Sequence, residues 1–360
     1  MAEDNPLLKY IEQAEAAPAP PKEPPAEARQ VAPLEEPVQP PDAVTMAMRK
    51  IPRLVAEVRK VIVGHDDPIR KLLVAVLANG HVLLEGLPGQ AKTLTIRTLA
   101  QAVRCIFSRV QFTPDIMPSD ITGTAIYNQQ TAQFEVKKGP IFCHMFLADE
   151  INRSPPKVQS ALLESMQERR VTLAGQTFPL PKPFFVLATM NPVEVEGTYT
   201  LPEAQMDRFI FKLHTDYPSH DEELTILRRM ATGAEIPIEP VMTPEEIIRL
   251  QRFCNDGVYV SPEVESYIVD LVQATRWPGR YGLEDLAGMI KFGASPRATI
   301  YIPQAAKAMA ILNGRNYVVI DDVKDVSLEI LKTRINLTSA AEGMDRIEIV
   351  RSILKAVPTP

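Results

Sequence analysis

A lysine and a threonine close a glycine-rich turn at Gly86-Leu87-Pro88-Gly89-Gln90-Ala91-Lys92-Thr93. The spacing is that of a phosphate-binding loop, G-x-x-x-x-G-K-[ST], except that Ala91 stands where the second glycine is expected. Such a loop turns successive backbone N–H groups toward one point at the positive end of a helix, which suits a chain of phosphates. Lys92 would bridge the β- and γ-phosphates of a nucleotide, and the Thr93 hydroxyl would ligate magnesium. The same residues would also make a plain turn leading into an ordinary helix.

Two further polar clusters end apolar runs. Met145-Phe146-Leu147-Ala148-Asp149-Glu150 closes on two carboxylates. Asp149 would hold magnesium, mainly through water, and Glu150 would polarise the attacking water. A helix cap would use such carboxylates too. The run Phe184-Phe185-Val186-Leu187-Ala188-Thr189 leads into Met190-Asn191-Pro192. Asn191 would bond the attacking water or the γ-phosphate; as structure alone, Asn191-Pro192 is a turn. Phosphate loop, acidic pair and polar strand end, in that order, favour ATP and Mg2+ chemistry over three unrelated structural features.

For these groups to meet, the apolar runs must be strands of one sheet whose carboxyl ends share an edge. Strands are predicted at His81–Glu85, Ser108–Phe112, Met145–Asp149 and Phe184–Thr189, with helices between them, from Lys92 and at Pro156–Glu168. The alternation implies an α/β fold with a central parallel sheet covered on both faces. Before it, Ile51, Leu54, Val55, Val58 and Ile62 recur at helical spacing; Gly64 ends that helix and Pro68 opens another, running to Asn79. Two hairpins interrupt the alternation, one around Asn128–Gln133 and one turning at Ala174-Gly175-Gln176. After Tyr217 strand signals fade. Residues 219–231, 244–254, 261–275, 296–313 and 321–333 read as helices, with Thr243 and Ser261 as N-caps. The expected domains are a tail at 1–43, a core at 44–218 and a helical domain at 219–360.

The tail holds ten prolines and no glycine, with nine acidic residues against three basic ones. That composition cannot offset its ordering entropy, so a disordered, extended tether is expected. A short helix at Asn5–Ala16, with Leu7, Leu8 and Ile11 on one face, would alternatively serve as a docking peptide. The tail accounts for the whole net charge of −6, which leaves a neutral body with no basic block. Nucleic acid is therefore not an expected partner. Cys105, Cys143 and Cys254 lie far apart with no CxxC pair, which argues against a zinc site or disulfides and for reduced thiols in the cytoplasm. The acidic N-terminus does not read as a secretory signal. No apolar run approaches the roughly 20 residues of a membrane span, so no membrane insertion is expected.

Longer stretches match a known pattern. Gln111-Phe112-Thr113-Pro114-Asp115, Pro118-Ser119-Asp120-Ile121-Thr122-Gly123, Leu147-Ala148-Asp149-Glu150-Ile151-Asn152-Arg153, Glu196-Gly197-Thr198-Tyr199, Leu201-Pro202-Glu203-Ala204-Gln205-Met206-Asp207-Arg208-Phe209 and Gly293-Ala294-Ser295-Pro296-Arg297 together resemble the MoxR family of AAA+ ATPases. The resemblance covers most of the chain after residue 60. It implies an AAA+ P-loop domain with hairpin inserts and an all-helical lid domain, and it accommodates Ala91 before the loop lysine. By the same resemblance Asn191 is a first sensor, and Arg297 a second one reaching in from the lid. Arg208 is an arginine finger offered to a neighbouring subunit, and would otherwise be a salt-bridge partner of Asp207. Val63 and Gly64 would lie near adenine, with His65 replacing a usual glutamine. The hairpins would face a pore or substrate. The resemblance further implies a homo-oligomer, a hexameric ring, acting as a chaperone-like remodeller on protein clients that include von Willebrand factor A-type domain proteins. Two rival readings are an AAA+ motor on nucleic acid and a slow nucleotide-dependent scaffold. The neutral body argues against the first, and intact Lys92, Asp149, Glu150, Asn191 and Arg208 against the second.

Overall fold

Two amphipathic helices open the described chain. α1 (Asp42–Val61) buries Val44, Ala47, Ile51, Leu54 and Val58; α2 (Asp66–Leu77) is buried from Lys71 to Leu77. The computed structural model describes residues 37–86, 89–129, 133–191, 198–231, 236–341 and 343–360. Residues 1–36, with the helix considered at Asn5–Ala16, lie outside the described residues, as do Leu87, Pro88, Pro192, Glu196 and Gly197. α1 starts within the last two residues of the stretch read as tail, and just before it the Val38 carbonyl accepts a bond from Asn316 (3.1 Å).

β1 (Val82–Glu85) leads through the glycine loop into α3 (Lys92–Ala102) and β2 (Phe107–Gln111). A short helix α4 (Pro118–Thr122) and the hairpin β3 (Gly123–Asn128) and β4 (Gln133–Lys138) precede β5 (Met145–Asp149). Then come α5 (Pro156–Glu168), the hairpin β6 (Arg170–Leu173) and β7 (Gln176–Pro179), β8 (Phe185–Met190), α6 (Glu203–Met206) and β9 (Phe211–His214). Both hairpins stand where they were expected. The second turns on Ala174 and Gly175, both at positive φ, the backbone twist that suits a two-residue hairpin.

Among the described residues the main sheet runs β2-β5-β8-β1-β9, with every neighbouring pair parallel. Its three central strands, β5, β8 and β1, are buried on consecutive residues because both faces are covered. Val82, Leu84, Met145, Leu147 and Leu187 point into one core shared with α1, α2, α3 and the helices after residue 219. Leu83, Phe146, Ala148, Val186 and Ala188 point into the other, under α5 and the second hairpin. Register sets Leu84 beside Thr189, Glu85 beside Met190 and Gln111 beside Asp149, so the carboxyl ends lie level.

The rest is mainly helical: α7 (His220–Met230), α8 (Pro244–Asp256), α9 (Pro262–Arg276), α10 (Glu284–Ala287), α11 (Pro296–Leu312), α12 (Ile320–Lys332) and α13 (Arg346–Ala356). Thr243 and Ser261 cap α8 and α9, each side chain accepting an N–H three residues on at 3.4 Å. A small antiparallel pair, β10 (Ile290–Phe292) and β11 (Asn336–Leu337), was not predicted. No helix among the described residues is long and apolar enough to cross a membrane.

Candidate functional site

Among its described residues, the loop between β1 and α3 carries two left-handed ones, Gly89 at φ 85° and Ala91 at φ 52°. Alanine adopts that conformation at a cost of about 1–2 kcal/mol, which explains why the motif usually has glycine there. Ala91 nevertheless keeps the turn that starts α3. Lys92 is half-buried, and its Nζ donates to the Gly86 carbonyl. Burial draws its amine below the usual range, while Asp149, Glu150 and Glu85 pull the other way.

A cavity of about 390 Å³ lies over this loop. Residues Gly89 to Leu94 form one wall, Arg109 and Gln111 come from β2, Asp149 ends β5 with Glu150 just after it, and Asn191 follows β8. The structure thus brings together the described loop residues, the acidic pair and the polar strand end.

The two carboxylates are held from several sides. Thr189 Oγ1 donates to Asp149 Oδ1 (2.6 Å) and accepts the Glu150 N–H (2.9 Å). Arg109 donates to Asp149 Oδ2 through Nη2 (2.7 Å) and Nε (3.0 Å). Gln111 Nε2 and Arg153 Nη1 both donate to Glu150 Oε2, at 2.7 and 2.9 Å. Glu150 itself sits at φ 56°, a left-handed position that costs a non-glycine residue free energy and recurs at functional sites. Asn191 is 6% exposed, and its carbonyl accepts from Asn152 Nδ2 at 3.4 Å. Arg109, Gln111 and Thr189 were not read from the sequence as site residues. The one signal for Gln111 and Thr189 was their place at the carboxyl ends of strands that had to share an edge; Arg109, in the middle of β2, carried none.

Other expected site residues do not line the loop cavity. Val63 and Gly64 are not in the lining of the loop cavity. Gly64 faces α7 so closely that a Cβ there would stand 2.5 Å from the Glu222 carboxylate. His65 is the left-handed residue that precedes α2. Arg208 and Arg297 line a different cavity, of about 160 Å³, together with Arg169, His81 and Tyr301. Arg297, expected as a second sensor reaching in from the lid, does not line the loop cavity in this structure. Its Nη1 turns to the Asp207 carboxylate at 3.4 Å. The alternative pairing of Arg208 with Asp207 is replaced as well: Asp207 pairs with Arg334 (2.7 Å) and Arg297, and Arg208 Nη1 donates to the Leu163 carbonyl (3.1 Å).

A parallel sheet that delivers a loop lysine and strand-end acids to one cavity is the architecture of P-loop nucleoside triphosphatases, and this chain is one of them. Residues 81–211 match the family described as "ATPase family associated with various cellular activities (AAA)", and residues 285–353 match the AAA lid domain. Chaperone MoxR1 of Mycobacterium tuberculosis is 44% identical over 322 residues, which is 89% of this chain and 85% of that protein. Protein MoxR of Methylorubrum extorquens is 31% identical over 331 residues, covering 86% and 94%. A crystal structure from Cytophaga hutchinsonii superposes with a TM-score of 0.83 at 47% identity, covering 89% of this chain and 97% of that one. The chain belongs to the MoxR family of AAA+ ATPases. It is an enzyme that hydrolyses ATP.

Proposed function

We propose that this chain is one subunit of a hexameric cytoplasmic ring that couples magnesium-dependent ATP hydrolysis to the remodelling or maturation of client proteins. Clients carrying von Willebrand factor A-type domains are the class its family resemblance favours, and the chaperone name of its mycobacterial relative supports the same reading. In the loop cavity the N–H groups that open α3, with Lys92, hold the β- and γ-phosphates. Thr93 and Asp149 offer one hydroxyl and one carboxylate, an oxygen-only set that fits a magnesium ion keeping several waters. That ion would neutralise charge on the phosphate oxygens. Glu150 orients and deprotonates the attacking water, and Asn191 positions it. Val63 and Gly64 approach the adenine.

The observation that carries the ring reading is the separate location of Arg208 and Arg297. Lining a cavity other than that of their own loop, they are suited to serve a neighbouring subunit's ATP. There a permanently charged guanidinium would stabilise the γ-phosphoryl group in the transition state. The direct test compares three variants. Lys92→Ala is expected to lose ATP binding. Glu150→Gln is expected to bind ATP and hydrolyse it very slowly. Arg208→Ala is expected to bind ATP, to be nearly inactive, and to regain activity when mixed with Lys92→Ala. Glu150→Gln at the wild-type rate would overturn the assignment of the water-activating group.

A further inference from the structure

Arg334 follows α12 by two residues, yet it is only 7% exposed. Its donors are spent almost entirely on one short segment. Nε meets Asp207 Oδ1 at 2.7 Å, and Nη2 donates to the carbonyls of Asp207 (3.0 Å) and Phe209 (2.6 Å). Nη1 donates to the carbonyl of Ile330 at 2.9 Å, with that of Ile210 at 3.5 Å. The guanidinium also stacks 5.1 Å from the centre of the Tyr301 ring, whose hydroxyl donates to the Arg208 carbonyl at 3.2 Å. The backbone on either side of Arg208 is thus gripped by one buried cation.

Asp207 carries the connection further. Its Oδ2 accepts from Ser295 Oγ (2.8 Å) and Arg297 Nη1 (3.4 Å), at the start of α11. Arg208 and Arg297 lie 89 residues apart in sequence and are tied through this single carboxylate to the same buried arginine. The Arg208 side chain is held more loosely. Nη1 has the Leu163 carbonyl, while Nε is buried with no hydrogen-bond partner among the described residues. Its placement therefore falls to the backbone that Arg334 clamps.

We infer that Arg334, with Asp207, is a positioning pair for ATP hydrolysis: it holds Arg208 and Arg297 in register so that they act together on the neighbouring subunit's nucleotide. The inference rests on the reading that these two arginines work across the subunit boundary. It makes Arg334 part of the donating side of the interface and not of its own chain's phosphate site.

The experiment uses full-length rings carrying Arg334→Gln, checked for assembly and melting temperature, alone and in mixtures. The expected kcat loss is roughly 10²-fold, the cost of an ångström-scale misplacement, with the KM for ATP within about twofold of wild type. Mixing with Lys92→Ala is expected to restore activity, because an intact loop then faces an intact pair of arginines. Mixing with Arg208→Ala is expected to restore nothing, since both partners are deficient on the same side. Wild-type kcat, or rescue by Arg208→Ala in place of Lys92→Ala, would overturn the inference. If Arg334→Gln fails to assemble, Asp207→Asn, which keeps the shape and the carbonyl bonds, takes its place with the same outcomes. An Arg208→Ala ring at the wild-type rate would refute the cross-boundary reading itself, and is thereby distinguishable from failure at Arg334.

Discussion

His81 is expected to make this protein sensitive to mild acid. The imidazole immediately precedes β1 and is 5% exposed. Nδ1 accepts the Val186 N–H at 3.1 Å, and Nε2 donates to the Met166 carbonyl at 3.1 Å, so the neutral Nε2–H tautomer satisfies both neighbours. The ring also meets Phe184 edge-on at 5.7 Å. Protonation would place a second hydrogen against an N–H donor, in a buried site beside the Arg169 guanidinium. Burial first and Arg169 second pull the imidazole from 6.5 down to about 3, with the Met166 carbonyl opposing weakly. Because the folded value is depressed, the unfolded chain binds more protons between these limits. The stability from keeping His81 neutral is whole above pH 6.5 and is lost progressively toward pH 3. Each pH unit is worth about 1.4 kcal/mol, so the ceiling over this window is about 5 kcal/mol. That is a large share of the roughly 5–15 kcal/mol that holds a domain folded.

The perturbation is His81→Gln, which keeps an acceptor and a donor but does not titrate. Urea unfolding followed by circular dichroism would compare the two proteins across pH. Between pH 6.5 and about 4.5, wild type is expected to lose roughly 2 kcal/mol more than the variant. Other titrating groups are common to both proteins and cancel in the difference. Parallel stability curves over that range would refute the reasoning.

Thr189→Val is nearly isosteric but removes the donor to Asp149 and leaves the Glu150 N–H without its acceptor. A loss of about 1–3 kcal/mol in orienting the acidic pair is expected to appear as a 10- to 100-fold fall in kcat, with ATP affinity little changed; an unchanged kcat in steady-state assays would refute it. Glu329 on α12 bridges Lys71 (3.2 Å) and Lys332 (2.6 Å), whereas Lys71 lost alone would leave the second bridge in place. Glu329→Gln is therefore expected to destabilise more than Lys71→Met, by about 3–5 kcal/mol in urea melts, and the reverse order would count against Glu329 as the hub.

Much of the core was legible because its strands are unbroken apolar runs bounded by glycine, proline and charge. The helices after residue 219 were legible from caps such as Thr243 and Ser261. β9 was missed because Phe211-Lys212-Leu213-His214 is a short edge strand, buried on alternate residues only. β10 and β11 carry no local signal, since each is two or three residues long and its partner lies more than forty residues away. The motifs named the chemistry of Lys92, Asp149, Glu150 and Asn191. They could not say which cavity Arg297 faces, because packing of the helical region against the core decides that. Arg334 was invisible for a related reason: Lys332-Thr333-Arg334 reads as an exposed basic helix end, and its burial comes from contacts more than a hundred residues away.

α12 supplies two buried ion pairs that cross from the helical region to the core, one through Glu329 to Lys71 on α2 and one just past its end through Arg334 to Asp207. Burying such charges costs several kcal/mol per ion, and apolar residues of similar volume would often hold the interface as well. The apolar contacts are already present, since a single hydrophobic cluster runs from α1 and α2 through the sheet to α11, α12 and α13. At Lys71 burial lowers the amine, but Glu329 and Asp67 outweigh it and keep it charged. At Arg334 burial prevails over Asp207 in direction, yet an arginine stays protonated regardless. Both cations therefore stay charged in places where charge is expensive. Apolar contacts set how tightly two helices pack but tolerate sliding, whereas hydrogen-bonded charges fix one alignment. Fixing the C-terminal end of α12 against α2 through Glu329 and, just past it, against the Arg208 segment through Arg334 limits how far that end can move relative to Arg208. Within this reading, a conformational change driven by ATP would carry Arg208, Arg297 and α12 as one body, and the adjustment would fall at the boundary with the next subunit's phosphate loop.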